Sequence, residues 1–464
     1  MSARGARLAA LAMAAALFGS AAPARANGRY PAAQHVLVGP GGDSVVLRNT
    51  FGLLVSRDAG ASFGWLCEDA IGYGGEFDPP FALDGSGRIH LGLYDGLVRS
   101  SPDTCGIERL GELEGENVVD LDHLPSGSRV LALAATPFVS GGELPEGRVW
   151  RSADAGSTYA LAGTFPGTLL ETLEQAPSLA DRVYLAGSTS PPARPLALRS
   201  DDGGATAYEV GGDWADDVER LFVSGVAPSN EDVMFVRATL HPSSGQATAL
   251  FRTEDGGATF DEVLRTTGPA LGFAISDDGL NVWVGTPSEG LFRSVDGGLT
   301  FELVSSSPIR CLRHHEGALY ACGGPPAPTP MLGRSTDGGA TFEPLVSSCT
   351  LDGALACSDP ASPVAACEAA WPSVASILPC VPSNGGAGGS GAGGAGGAGG
   401  AGGAGGAGGA GGDEAGASGG AGADGRAPAG CAAAGHAPSP SLLPALLACA
   451  ALWRARRRSR LGSS

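Results

Sequence analysis

An all-β ring of seven four-stranded blades, a seven-bladed β-propeller with antiparallel blades, is the fold this sequence predicts, and three observations carry it. One short phrase returns seven times, the returns lie 41 to 53 residues apart, and each interval holds about four short apolar segments separated by turn signals. A propeller blade takes about 40 to 50 residues, and stacking blades around an axis buries faces that no single blade can cover.

The phrase is Ser or Thr, any residue, Asp, a small residue, Gly, any residue, Thr or Ser, aromatic. It is complete at Ser56 to Phe63, Ser152 to Tyr159, Thr253 to Phe260, Ser294 to Phe301 and Ser335 to Phe342. Ser200 to Tyr208 moves the aromatic one place on, and Ser101 to Cys105 puts Cys where Gly belongs. In a turn between third and fourth strands, the Asp accepts backbone N–H groups, the Gly takes a positive φ, and the aromatic fills the space between blades. A carboxylate used this way is no free acid or base, so Asp58, Asp154, Asp202, Asp255, Asp296 and Asp337 are expected to be structural. Arg99, Arg151, Arg199, Arg252, Arg293 and Arg334 precede the phrase, and a solvated place outside the axis is expected for them.

The strands follow the same frame. Unit six reads Leu271 to Ser276, a turn at Asp277-Asp278-Gly279, Val282 to Thr286, Leu291 to Ser294 and Thr300 to Val304. Second strands are nearly continuous apolar runs, as at Val130 to Ala134, Val183 to Ala186 and Val233 to Val236. Alternation would leave one wet face; continuous runs predict burial on both.

The phrase resembles the Asp-box, and residues 27–347 resemble the BNR-repeat proteins: sialidases, sortilin-type propellers, the seven-bladed halves of xyloglucanases, and photosystem II assembly factors. The resemblance implies the fold and leaves the activity open. A sialidase-like hydrolase needs clustered arginines, a Tyr nucleophile beside a Glu, and an Asp acid at the axial mouth. The Arg-Ile-Pro signature of sialidases is missing before the first phrase. The arginines nearest to inner strands are Arg48, Arg237, Arg310 and Arg313; the tyrosines outside the phrase are Tyr30, Tyr73, Tyr94, Tyr184 and Tyr320. Asp120, Asp122, Glu171 and Glu174 form the acidic set that faces either the axis or a neighbouring blade. No catalytic residue is assigned, and neither cofactor nor metal is expected. The expected role is a non-catalytic binding or assembly scaffold, a monomer, for a protein or glycan at the cell surface; the alternative is an extracellular sialidase-like glycoside hydrolase.

Composition narrows the partners. The 464 residues include no Lys, which excludes a Lys-bearing phosphate loop and imine catalysis. Between 27 and 430, 48 acidic residues face 21 arginines, a balance that repels phosphate backbones, so no nucleic acid is expected as partner. Residues 1–26 carry a basic start, an apolar run and an Ala-Arg-Ala ending, the pattern of a secretory signal, with a buried helix as the alternative. Residues 384–430 are mostly Gly-Gly-Ala, a disordered tether whose mean span would be about 35–40 Å. Residues 431–464 place Cys431, a short apolar stretch and an arginine cluster in series. That series resembles the MYXO-CTERM sorting signals of surface proteins, which implies processing near Cys431 and retention at the cell surface or outer membrane; a plain membrane anchor is the alternative.

Export suits the eight body cysteines, because thiols oxidise outside the cytoplasm. Cys311 and Cys322 flank a hairpin with Glu316-Gly317 at its tip, which sets them opposite each other. Cys67 and Cys105 are expected to join neighbouring blades, while Cys349, Cys357, Cys367 and Cys380 form a stapled cap over 348–383 with a short helix near Ala365 to Ala370. Their spacing lacks the close pairs of a zinc module. His314-His315 is expected at a solvent-exposed turn.

Overall fold

The computed structural model describes residues 30–380 except 75–76, 125–127, 137–143, 191, 213, 242–246, 324–329, 352 and 379. The secretory signal, the Gly-rich tether and the segment bearing Cys431 lie outside the described residues.

Among the described residues twenty-eight strands form seven antiparallel sheets, each made of four consecutive strands. Blade 1 holds β1 (Ala33–Val38), β2 (Val45–Asn49), β3 (Gly52–Ser56) and β4 (Gly64–Leu66), and blade 2 holds β5 (Phe81–Leu83), β6 (Ile89–Leu93), β7 (Gly96–Ser100) and β8 (Ile107–Leu110). Blade 3 is β9 (Asn117–His123), β10 (Val130–Ala135), β11 (Glu146–Ser152) and β12 (Ala160–Pro166); blade 4 is β13 (Thr168–Ala176), β14 (Leu179–Thr189), β15 (Pro195–Ser200) and β16 (Tyr208–Val210). Blade 5 follows as β17 (Val218–Val226), β18 (Met234–Leu240), β19 (Thr248–Thr253) and β20 (Asp261–Thr266). Blade 6 is β21 (Gly272–Ile275), β22 (Val282–Thr286), β23 (Gly290–Ser294) and β24 (Glu302–Ser305), and blade 7 is β25 (Cys311–His315), β26 (Ala318–Cys322), β27 (Leu332–Ser335) and β28 (Glu343–Val346). Each first strand touches the next, and β25 touches β1, which closes the ring around an axis.

The apolar second strands hold the blades together. Val130 through Ala134 and Val183 through Ala186 are fully buried, and Leu131, Leu133 and Val149 of blade 3 pack with Leu170, Leu173 and Leu185 of blade 4. Burying one such side chain is worth about 1.5–3 kcal/mol, so the interfaces between blades form the core.

Each complete phrase joins a third strand to a fourth. In blade 1 the Ser56 hydroxyl and the Ser62 N–H donate to Asp58 Oδ1 at 2.7 and 2.9 Å, and the Ser62 hydroxyl donates to Oδ2 at 2.6 Å. Asp154, Asp202, Asp255, Asp296 and Asp337 accept the corresponding donors. Two successive residues have positive φ, Ala59 (58°) with Gly60 (90°) in blade 1 and Gly256 (71°) with Gly257 (95°) in blade 5, which is why small residues and Gly recur there. The donors four residues on hold Asp58, Asp154, Asp202 and Asp255 down to about 2. A depressed carboxylate stabilises the fold above its unfolded value near 4 and loses that contribution as pH falls through 2. Asp255→Ala, whose side chain is exposed, is therefore expected to cost about 1 kcal/mol, or ~2–4 °C of melting temperature at pH 7, and progressively less below pH 4. Asp296→Ala and Asp337→Ala act in the same direction, with ligand affinity unchanged. Thermal scans from pH 7 to 2 check this; unchanged melting with lost binding would reverse the assignment.

Two expectations about the phrase need correction. Three of the six arginines before the phrase are ties between blades rather than solvated ends. Arg99 donates to Gly156 O at 3.1 Å and Ser157 Oγ at 2.9 Å, Arg252 to Gly297 O at 2.9 Å, and Arg199 to Gly256 O at 3.4 Å, in each case the turn of the next blade. Arg334 alone of the six is exposed. Tyr208, displaced by one place, is 52% exposed and fills no space between blades.

The disulfides also differ. Cys67 pairs with Cys367 and Cys105 with Cys357, not with each other, and within the cap only Cys349–Cys380 is internal. Cys311 pairs with Cys322 directly across the β25–β26 hairpin, as the turn requires. All four cap cysteines are thus in disulfides, and among the described residues no group of three His, Cys, Asp or Glu could hold a metal ion. After β28 the chain returns to blade 1. Ala354 forms a parallel bridge with Trp65, and the helices α1 (Glu68–Ile71) and α2 (Ala365–Ala375) meet. Trp371 packs 5.6 Å from Trp65, with Val364, Cys367 and Leu378 buried in the blade 1 core. The cap is a clasp on the first two blades because both its long-range bridges land there.

Candidate functional site

The ring encloses an axial cavity of about 620 Å³. First strands supply most of its wall, because they stand nearest the axis: His35 on β1, Asp122 on β9, Thr172 and Glu174 on β13, and Arg313 on β25. Arg48 on β2 and Arg237 on β18 reach in from the second row.

Three guanidinium groups therefore line one cavity. Arg48 donates to Pro79 O at 2.7 Å and lies 5.9 Å from the Phe81 ring. Arg237 donates to Ala270 O at 2.6 Å and stacks 4.7 Å over Phe222, an arrangement that leaves part of its fork for a ligand. Arg313 Nε is buried without a hydrogen-bond partner among the described residues. Burial, and then the charges of Arg48 and Arg313, push His35 down to about 3, so this imidazole is neutral. Arg310, the fourth candidate, stands outside the lining.

Acidic groups enter from blades 3 and 4. Leu173 N–H donates to Asp120 Oδ2 at 2.8 Å and Gln175 N–H to Asp122 Oδ2 at 2.8 Å, so the two carboxyls cross from β9 to the backbone of β13. Burial pushes Asp120 up to about 7 and raises Asp122; burial with the nearby Asp122 and Asp120 raises Glu174 well above the ordinary range. Glu171 pairs with Arg220 at 3.2 Å, away from the lining. The alternation of Asp120 and Asp122 was legible in the sequence; their anchoring on the next blade was not.

No tyrosine lines the cavity among the described residues. Tyr184 is buried and donates to Glu231 O at 2.7 Å, Tyr320 lies beneath Arg334 at 6.0 Å, and Tyr30 and Tyr94 are exposed. His314-His315 is not an exposed turn: both belong to β25. His314 lines the cavity, stacks on Trp283 at 5.5 Å and faces Asp277 at 3.6 Å. The hydrophilic dipeptide misled because the turn itself is only Glu316-Gly317.

No protein-family model matches this chain, and no curated protein matches it in sequence. Among solved structures it is similar to an ancestral GH74 enzyme, with a TM-score of 0.53 and 13% identity over 68% of this chain and 46% of that one. The chain thus spans about half the length of that enzyme. YCF48 bound to D1 peptide gives a TM-score of 0.43 at 12% identity, covering 63% and 91%. RRP9 WD40 repeats give 0.45 at 13% identity, covering 64% and 88%. At such identities the likeness shows the propeller fold alone.

Proposed function

We propose that this chain is an exported, surface-held, non-catalytic propeller of the Asp-box type that binds a carboxylate-bearing glycan in its axial cavity. The observation that carries the reading is the meeting of Arg48, Arg237 and Arg313 at one cavity in an otherwise acidic protein. Guanidinium forks match carboxylate geometry, and a partly enclosed site strengthens each charged hydrogen bond. Four disulfides suit an oxidising compartment, in keeping with the secretory reading of residues 1–26 and the surface-sorting reading of 431–464.

Isothermal titration of glucuronate, N-acetylneuraminate and an N-acetylated tripeptide tests it. Binding of a sugar acid, weakened about tenfold or more by Arg313→Ala, supports the reading, in line with the ~1.5–3 kcal/mol of a charged hydrogen bond. Binding of the tripeptide alone moves the partner to a protein; binding of none removes the cavity as the site.

A second reading, a glycoside hydrolase, rests on Glu174, which lines the cavity with its carboxyl raised well above the ordinary range by burial and so keeps a proton to donate. The absence of a lining tyrosine speaks against the sialidase form of it. Release of fluorophore from a fluorogenic sialoside or glucuronide, lost in Glu174→Gln, would favour this reading.

A further inference from the structure

We propose that occupancy of the axial cavity is proton-linked: the cluster of Asp120, Asp122 and Glu174 holds protons while a carboxylate ligand is bound, and ionisation of the cluster releases that ligand. The inference deepens the carboxylate-binding reading and rests on it.

The geometry supplies the coupling. Asp122 and Glu174 line the same cavity as Arg48, Arg237 and Arg313. Asp120 and Asp122 are pinned by backbone N–H groups of β13 and cannot swing out to solvent. Glu174 has no hydrogen bond or ion pair with any described residue, and the charge that offsets it is that of Arg313. The groups around the cluster are few. Asp120 faces Asp122 and Arg48; Asp122 faces His123, Arg313 and the Gln175 amide; Glu174 faces Asp122, Asp120 and Arg313. Charges on the strands packed around them are engaged elsewhere: Arg220 of β17 with Glu171, Arg182 of β14 with Asp201 and Asp232, and His90 of β6 with Asp84. On the far wall His35 is neutral, and His314 faces Asp277.

Three guanidinium charges therefore share one cavity with the Asp122 and Glu174 carboxyls, and Asp120 stands beside Asp122 outside the lining. While the carboxyls keep their protons, the cavity is cationic and attracts an anion. As they ionise, they cancel the arginines, and the anion loses its field. Burial sets this exchange near neutral pH, with Asp120 at about 7 and Asp122 and Glu174 also raised.

The test is calorimetric titration of the full chain with glucuronate, whose own carboxyl stays ionised, from pH 5.5 to 9 in buffers of two ionisation enthalpies. Net proton uptake on binding is expected near pH 7–8, with affinity falling by up to about tenfold per pH unit for each linked proton. The Asp120→Asn, Asp122→Asn, Glu174→Gln triple variant should bind with no proton uptake and a flat pH profile. Should it fail to fold by circular dichroism, Glu174→Gln alone should reduce the proton uptake. PH-independent binding without proton uptake, still abolished by Arg313→Ala, overturns the coupling and leaves the site standing. No glucuronate binding at any pH overturns the site and the coupling together.

Discussion

Removing both long-range bridges, by Cys67→Ser with Cys367→Ser and Cys105→Ser with Cys357→Ser, is expected to destabilise the ring by more than the sum of the two single losses, each of which costs about 2–4 kcal/mol. The asymmetry follows from chain topology. Each bridge closes a very long loop, with sequence separations of 300 and 252, and either one by itself ties the cap to the first two blades. With one bridge in place, the other restricts only a few tens of residues further, so its loss is the smaller one. The last bridge to go frees the whole circuit. No strand is exchanged between blades 1 and 7 among the described residues, so closure depends on β1 against β25, the Trp65–Ala354 bridge and these sulfurs. Urea unfolding of the two single-bridge variants and the double-bridge variant measures it. A double loss equal to the sum of two small single losses would show that the packing of β1 on β25 closes the ring without the clasp.

Asp120→Asn is expected to be more favourable to stability at pH 8 than below pH 3.8 by up to about 4 kcal/mol. The folded value near 7 lies above the unfolded value of 3.8, so native Asp120 holds its proton where the unfolded chain has released it. The penalty is absent below 3.8, grows as pH rises and is complete above 7. Asparagine removes the charge but keeps one oxygen, enough for either the Leu173 N–H, 2.8 Å from Oδ2, or the Leu121 N–H, 3.0 Å from Oδ1, so it gives up one hydrogen bond at every pH. Denaturant unfolding at pH 3.5 and pH 8 separates this from a packing effect, which would appear at both. A destabilised variant at pH 8 would mean that the ionised carboxylate is held by a favourable partner.

The seven units, the turn between third and fourth strands, the fully buried second strands and the Cys311–Cys322 pair could all be read from the chain alone. These features are local, and a period of 41 to 53 residues repeats each of them beside its own neighbours. Tertiary structure alone decided the rest. Nothing near Cys67 in sequence distinguishes Cys105 from Cys367 as its partner; ring closure does, by returning residues 353–367 to the blade the chain began with. Arg99, Arg199 and Arg252 became ties because the next blade's carbonyls come within their reach, and His314 entered the cavity because β25 runs on through both histidines to the Glu316-Gly317 turn. Arg48, Arg237 and Arg313 lie on blades 1, 5 and 7, so their convergence follows from closure and from no spacing along the chain. A repeat fixes what each blade is; only the circle sets which side chains share its axis.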